Sequence, residues 1–216
     1  MSNNLTAIDI LLEPDGAMLA RAKSINDFML TSIPSPPGFA LDENHRPHIT
    51  VLQRYVRTGD LGRVFEEVQL LLEKVDLSAL RLTAVSLAHM DVNDSPDAGL
   101  AAIIATPGPE ILDFQANLIE TIRPFTENGG TAQAYVRTET EPDINEQTVD
   151  YIDRYVPEHS GANFLAHITV GMARLSDLTT IEAEPFDPLS FSPSAISIYQ
   201  LGNNGTAAKH LKTWTA

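Results

Sequence analysis

The sequence predicts a mixed α+β fold in which antiparallel sheets are covered by helices. Short apolar runs alternate along the chain with stretches of helical periodicity, and turn residues separate the two kinds of segment. Hydrophobic residues make up 43% of the 216 residues, which is enough to form a core. Because no linker-like stretch divides the chain, we expect a single domain over residues 1–216.

In the first part of the chain, strands and helices alternate. Residues 6–12 form a short apolar run that a Glu-Pro-Asp-Gly sequence ends, which indicates a strand. Apolar residues at helical spacing predict a helix over 17–30, and a loop rich in proline follows at 34–38. The apolar run at 48–56 predicts a second strand, and the pattern of valine and leucine over 61–75 predicts a second helix.

A hairpin and further strands are predicted downstream. The apolar runs at 80–89 and 100–105 indicate two strands that a polar turn at 91–99 connects. Residues 109–125 have helical periodicity and predict a third helix. The last strands are predicted at 163–173, 195–201 and 208–214.

The segment 126–162 has a less regular pattern. A strand is predicted at 132–138 and a short helix at 148–155, with an acidic run between them. We interpret the whole segment as an insertion or a lid, because a long irregular connection inside a domain is often functional.

Charge and composition restrict the functional classes. Lys and Arg number 14 and Asp and Glu number 29, so the net charge of −15 argues against binding long duplex nucleic acid. There is no cysteine, which excludes disulfides and thiol catalysis. No signal peptide or membrane span is visible in the sequence. We therefore expect a soluble, cytoplasmic, monomeric protein that does not bind membranes.

One tetrapeptide, His-Ile-Thr-Val, occurs twice, at residues 48–51 and 167–170. Because side chains alternate between the two faces of a strand, His48 and Thr50 should share one face, and His167 and Thr169 should do the same. The isoleucine and valine of each motif should then anchor the strand in the core. One such motif would be weak evidence for catalysis, whereas an identical pair is not required by packing.

The residue types suit the cleavage of a phosphodiester. Histidine has an ordinary pKa of about 6.5, so near neutral pH one imidazole can act as a base and another as an acid. In-line attack on phosphorus needs both, one on each side of the phosphate. The hydroxyls of Thr50 and Thr169 can donate to the non-bridging oxygens, where charge develops.

With these two motifs the chain resembles the two-histidine (2H) phosphoesterase superfamily. The branch it resembles is that of the bacterial 2'-5' RNA ligase-like, or RNA 2',3'-cyclic phosphodiesterase-like, proteins. The resemblance implies a bilobal fold with pseudo-two-fold symmetry, in which two antiparallel sheets flanked by helices enclose a central groove. It also implies that His48 and His167 are catalytic and that Thr50 and Thr169 bind phosphate. Ala166 departs from the proline that many relatives have before the second histidine.

The resemblance further implies a metal-independent phosphodiesterase without a cofactor. Its substrates would be nucleotides or RNA termini with a 2',3'-cyclic phosphate or a 2'-5' linkage. Two alternatives stay open: a non-catalytic protein that binds nucleotides or RNA ends, and a 2'-5' RNA ligase. The direction in which the substrate lies would decide which histidine is the acid.

Other residues are candidates for binding the substrate. Arg54 follows His48 by six positions, so it shares the face of His48 if the strand continues regularly. Tyr135 and Arg137 alternate onto one face of the strand predicted at 132–138 and can stack a base and hold a phosphate. Phe39 and Tyr199 are further candidates for stacking, although aromatic residues usually pack in the core. We predict no metal site, because no histidine pair has the spacing of a known metal motif.

Overall fold

The structure of the chain is a computed structural model that describes residues 4–32, 38–42, 45–92, 97–139 and 141–215. Within these residues, eight strands form two antiparallel sheets of four strands each. In chain order the strands are β1 (Leu5–Pro14), β2 (Ile49–Arg57), β3 (Leu82–Asp91), β4 (Ala98–Pro107), β5 (Ala166–Arg174), β6 (Leu189–Phe191), β7 (Pro193–Leu201) and β8 (Ala207–Thr215). The first sheet has the order β2-β1-β7-β8 and the second β5-β4-β3-β6.

Five α-helices accompany the sheets in the described part of the chain. They are α1 (Gly16–Ser32), α2 (Leu61–Leu72), α3 (Pro109–Ile122), α4 (Glu146–His159) and α5 (Leu175–Glu182). The largest apolar cluster contains residues of both sheets, such as Ile8 and Ile10 of β1 and Ile168 of β5, and residues of the helices. The predicted α+β fold with antiparallel sheets and flanking helices is therefore confirmed.

Most predicted elements are present, with four differences. The strand predicted at 132–138 is wrong: Ala132–Ala134 is a turn of 3-10 helix, and the next residues join no sheet ladder. Helix α4 is longer than the predicted 148–155, because the Asn145 side chain accepts a hydrogen bond from the Thr148 amide and caps the helix earlier. Helix α5 and the three-residue strand β6 were not predicted.

Parts of two predicted loops lie outside the described residues. They are most of the loop at 34–38 and the middle of the turn at 91–99. The segment 126–162 packs on the first sheet through buried tyrosines: the Tyr55 hydroxyl lies 2.7 Å from that of Tyr135 and donates to the Val149 carbonyl at 2.8 Å. That this segment is an insertion or a lid stays a prediction.

Both motif strands contain a β-bulge at the same motif position. In the first sheet, Ile10 pairs with Leu52 and Leu11 with Thr50, so Val51 is the extra residue. In the second sheet, Ala101 pairs with Gly171 and Ala102 with Thr169, so Val170 is the extra residue. A bulge reverses the alternation of faces in the residues that follow it. The two sheets thus repeat one local geometry around the two motifs.

Candidate active site

The two His-Ile-Thr-Val motifs lie on the edge strands of the two sheets. His48 directly precedes β2, His167 is in β5, and β2 and β5 contact each other. The apolar residues of both motifs are at most 1% exposed, as expected for anchors in the core. All four histidine and threonine side chains are partly exposed. Each motif therefore presents an imidazole and a hydroxyl at the surface where the sheets meet.

Both histidine rings are oriented by the same backbone hydrogen bond. His48 Nδ1 lies 2.6 Å from the carbonyl of Arg46, and His167 Nδ1 lies 3.0 Å from the carbonyl of Leu165, in each case two residues earlier in the chain. A carbonyl only accepts, so Nδ1 must be the protonated nitrogen of the neutral ring. This leaves Nε2 of both rings available for proton transfer.

The surroundings of both imidazole rings favour their neutral form. Burial is the main cause that lowers the pKa of His48 and of His167 below the ordinary value, and the backbone hydrogen bonds oppose this shift. The negative charge of Glu13 also raises the pKa of His48. The charge of His48 makes a smaller contribution that also lowers the pKa of His167. Protonation of one ring thus disfavours protonation of the other, as an acid and base pair requires.

A buried carboxyl group lies behind the first motif. Asp9 of β1 is fully buried, and its Oδ2 accepts a hydrogen bond from the Thr50 hydroxyl at 3.0 Å and lies 3.7 Å from His48 Nε2. Asp9 Oδ1 is buried without a hydrogen-bond partner among the described residues. Burial raises the pKa of Asp9 to about 7 and outweighs the nearby donors Thr50 and Gln53, which favour the ionised form.

An aromatic cluster on α4 flanks the motifs. The ring of His159 lies 4.6 Å from that of Tyr151 and 5.7 Å from that of Tyr155, measured between centroids. Burial is the main cause that lowers the pKa of His159 and raises those of Tyr151 and Tyr155, and the charges of His167 and Asp9 contribute less in the same directions. The Tyr155 hydroxyl donates to the backbone carbonyl of Thr50 at 3.3 Å. The sequence analysis assigned no role to this cluster.

Two predicted stacking residues lie near the motifs. Tyr199 is 5% exposed, packs on Leu11 and lines the same pocket as His48 and Arg46. Phe39 stacks on His45 with centroids 4.3 Å apart. It also lines a second pocket beside β5, the strand of the second motif.

Three predicted binding residues occupy other positions. The bulge at Val51 pairs Arg54 with Ile8, whose side chain is in the main core, so Arg54 does not share the face of Thr50 as expected. Its guanidinium instead donates to the Thr126 hydroxyl at 3.3 Å. Tyr135 is 4% exposed and lies in the core cluster with Tyr55, which leaves its ring no free face for a base. Arg137 is exposed beyond the 3-10 turn.

Two features are absent from the part of the chain that the structure describes. Its His, Asp and Glu residues form no group of three or more that could hold a metal ion. None of the described helices is both long and apolar enough to span a membrane.

Comparisons with solved structures find chains of similar length and fold. The protein TT0787 of Thermus thermophilus is similar with a TM-score of 0.52 and 13% identity over 97% of both chains. E. coli LigT complexed with 3'-AMP has a TM-score of 0.46 and 12% identity over 98% of both chains. Kluyveromyces marxianus Usb1 has a TM-score of 0.43 and 9% identity, covering 100% of this chain and 99% of that one. No family model and no curated protein matches the chain.

The architecture agrees with the resemblance that the motifs indicated. Two four-stranded antiparallel sheets, each with one motif on an edge strand, are the arrangement that the resemblance implied, and TT0787 has a similar fold. Identities this low concern the fold alone. Function has to be argued from the side chains of the site.

Proposed function

We propose that the chain is a metal-independent phosphodiesterase that uses His48 and His167 as its acid and base. The observation that carries this proposal is that two histidines on contacting strands each have Nδ1 hydrogen-bonded to a backbone carbonyl, which leaves Nε2 of each ring for proton transfer. A binding protein would not need two imidazoles prepared in the same way. Substrates with a 2',3'-cyclic phosphate or a 2'-5' linkage are proposed from the resemblance of the motifs.

The reaction follows from this arrangement. The neutral histidine takes a proton from water, and the water oxygen attacks phosphorus on one side. The bond to the ribose oxygen on the opposite side breaks, and the protonated histidine donates a proton to this leaving oxygen. The hydroxyls of Thr50 and Thr169 donate to the non-bridging oxygens as their charge increases. The products are a phosphomonoester and a free ribose hydroxyl, so all protons balance.

The test is turnover in the presence of EDTA. We expect the purified protein to open 2',3'-cyclic nucleotides or cyclic-phosphate-ended RNA, or to cleave 2'-5' oligoadenylate, without added metal. The product, a 2'- or a 3'-phosphate, identifies the oxygen that leaves. Binding of the same compounds without turnover over long incubation would contradict the proposal and favour a non-catalytic protein. Accumulation of joined RNA ends would favour a ligase.

The aromatic cluster on α4 is proposed to bind the nucleobase. Tyr151 is 36% exposed and packs edge-on against Tyr155, whose hydroxyl donates to the Thr50 carbonyl, so a base stacked on Tyr151 would lie close to the phosphate site. Base stacking on an aromatic ring contributes about 1–3 kcal/mol. An acidic chain with net charge −15 needs such uncharged contacts, because it has few cations to attract the substrate.

Replacing Tyr151 with alanine is expected to raise KM for a cyclic nucleotide by about 5- to 100-fold, with little change in kcat. Tyr151→Phe keeps the ring and should keep KM near the wild-type value. Steady-state kinetics on 2',3'-cyclic AMP measures both. An equal KM for Tyr151→Ala and wild type would place the base elsewhere, and Phe39 would be the next candidate.

A further inference from the structure

Each motif and the strand paired with it form one half of the candidate site. These two half-sites share the same bulge but differ at one position. The second residue after the bulge is Gln53 in the first sheet and Met172 in the second. Gln53 pairs with Asp9, and Met172 pairs with Leu100. At this position the first half-site therefore has a carboxyl group, where the second has a leucine. An Asp in an apolar core position is costly and needs a compensating role.

The hydrogen bond between Asp9 and Thr50 has a direction that depends on protonation. An ionised carboxylate only accepts, so the Thr50 hydroxyl must donate its single proton to Asp9. Its remaining lone pairs would then face the phosphate oxygen, which also only accepts. A neutral Asp9 can donate to Thr50 instead, across the same 3.0 Å, and the Thr50 proton is then free for the phosphate.

We propose that Asp9 is a positioning residue that acts in its neutral form, donating to Thr50 so that Thr50 donates to the phosphate. This inference rests on the proposed function of the site. Full burial and the unpartnered Oδ1 support it, because both disfavour the carboxylate. The raised pKa of about 7 makes the neutral form available at physiological pH. Ionisation of Asp9 would also place a negative charge behind the anionic phosphate.

The surroundings of Asp9 provide no strong cation that would hold it ionised. Among the described residues, its charge–charge contact is with His48, whose own pKa is lowered. Across the strand pair it faces Gln53 of β2 and Tyr199 of β7. The other titratable or charged groups that the described residues bring to this face of the sheet include Glu13 of β1, Arg46 before β2, His167 of β5, His210 of β8, and Tyr151 and Tyr155 of α4.

The pH profile of kcat/KM distinguishes this role from a structural one. In wild type, activity requires a proton on the acid histidine and a proton on Asp9. The histidine loses its proton at lower pH, and Asp9 loses its proton above pH about 7. Because both protons are then being lost, kcat/KM should fall by about 100-fold per pH unit. Asp9→Asn can still donate to Thr50 through its amide and cannot ionise. It should match wild type within about threefold at pH 6 and fall by only about tenfold per unit above pH 7.

Asp9→Leu is the matched control, because leucine occupies the equivalent position of the second sheet as Leu100. It should also lose the steeper fall, but with lower activity than Asp9→Asn at pH 6, since nothing orients Thr50. A loss of activity in Asp9→Asn of tenfold or more at pH 6 would overturn the inference, because the carboxylate would then be required. Parallel profiles of Asp9→Asn and wild type above pH 7 would overturn it too.

A second readout does not depend on turnover. In carbon-13 NMR of the wild-type protein, the Asp9 carboxyl, assigned through Asp9→Asn, should be neutral at pH 6 and titrate at a higher pH with inorganic phosphate present. An Asp9 carboxylate that is ionised at pH 6 would overturn the inference. If wild type cleaves none of the tested esters, the proposed function fails. The carbon-13 titration still shows whether the Asp9 carboxyl is neutral at pH 6 and responds to phosphate.

Discussion

Replacing His48 or His167 with alanine is expected to lower kcat/KM by about 10²- to 10⁴-fold each. In the proposed mechanism each ring supplies one proton transfer in the same step, through the Nε2 that the hydrogen bond from Nδ1 to a backbone carbonyl leaves available. Because both rings act on one transition state, the double variant should lose less than the product of the two single losses. Initial rates on a 2',3'-cyclic nucleotide in EDTA measure all three variants.

The same variants should change the pH profile in opposite directions. Since burial lowers the pKa of both rings, the acid histidine loses its proton below the ordinary imidazole value, and kcat/KM should be highest on the acidic side of pH about 6.5. Removing the base should flatten the acidic limb of the profile, and removing the acid should remove that histidine's part of the alkaline fall and leave the part that comes from Asp9. The profiles thereby assign the two roles.

His89→Ala is the control for these losses. His89 pairs with Glu182 at 2.7 Å on β3, two strands away from β5 in the second sheet, so it should keep wild-type kcat. Losses below tenfold in both His48→Ala and His167→Ala would rule out two-histidine catalysis. Activity in the double variant that disappears with chelator would indicate a metal-dependent reaction instead.

The repeated motif made the centre of the site predictable, because an identical tetrapeptide needs no structural context to be noticed. The apolar runs likewise predicted seven of the eight described strands, since each is long enough to show its pattern. Strand β6 has three residues, too few for any periodicity. The strand predicted at 132–138 failed because Ala134 and Tyr135 pack in the core cluster of Tyr55 and not in a ladder.

The bulges explain the main error within the site. The prediction assumed that side chains alternate regularly between the two faces of β2, which would put Arg54 on the face of Thr50. The extra residue Val51 shifts this alternation by one, so Gln53 lies on that face instead. No local pattern in the sequence marks a bulge at valine. The role of Asp9 did have a signal, as a single acid inside the apolar run Thr-Ala-Ile-Asp-Ile-Leu-Leu. What was missing was the pairing of β1 with β2, which places it beside Thr50 and His48.

Asp9→Asn is expected to stabilise the fold, and the gain should depend on pH. The pKa of Asp9 rises from 3.8 to about 7 in the folded protein, so between these values the folded state binds a proton that the unfolded state has lost. Stability of wild type therefore falls as pH rises through this window, by about 1.4 kcal/mol per unit and about 4 kcal/mol in total. Above pH 7 both states are ionised and the cost is constant.

Asp9→Asn lacks this proton equilibrium. Its advantage in unfolding free energy over wild type should be smallest near pH 4 and grow to about 4 kcal/mol at pH 8. Urea denaturation at pH 4.5, 6 and 8 measures the unfolding free energy of both proteins. Subtracting the wild-type value from that of Asp9→Asn cancels the titration of all other groups. A difference that is the same at pH 4.5 and pH 8 would show that Asp9 ionises as easily in the folded protein as in the unfolded one.

Asp113→Asn provides the control, because it removes the same charge from an exposed position on α3. It should change the unfolding free energy by no more than about 0.5 kcal/mol at any of these pH values. Asp9 would then cost the fold several kcal/mol at pH 8, whereas the equivalent position in the other sheet holds Leu100. A role in the site explains why such a costly acid is present. Both experiments on Asp9 depend on one property, a carboxyl group that burial keeps neutral, and a carboxylate found at pH 6 would remove both expectations together.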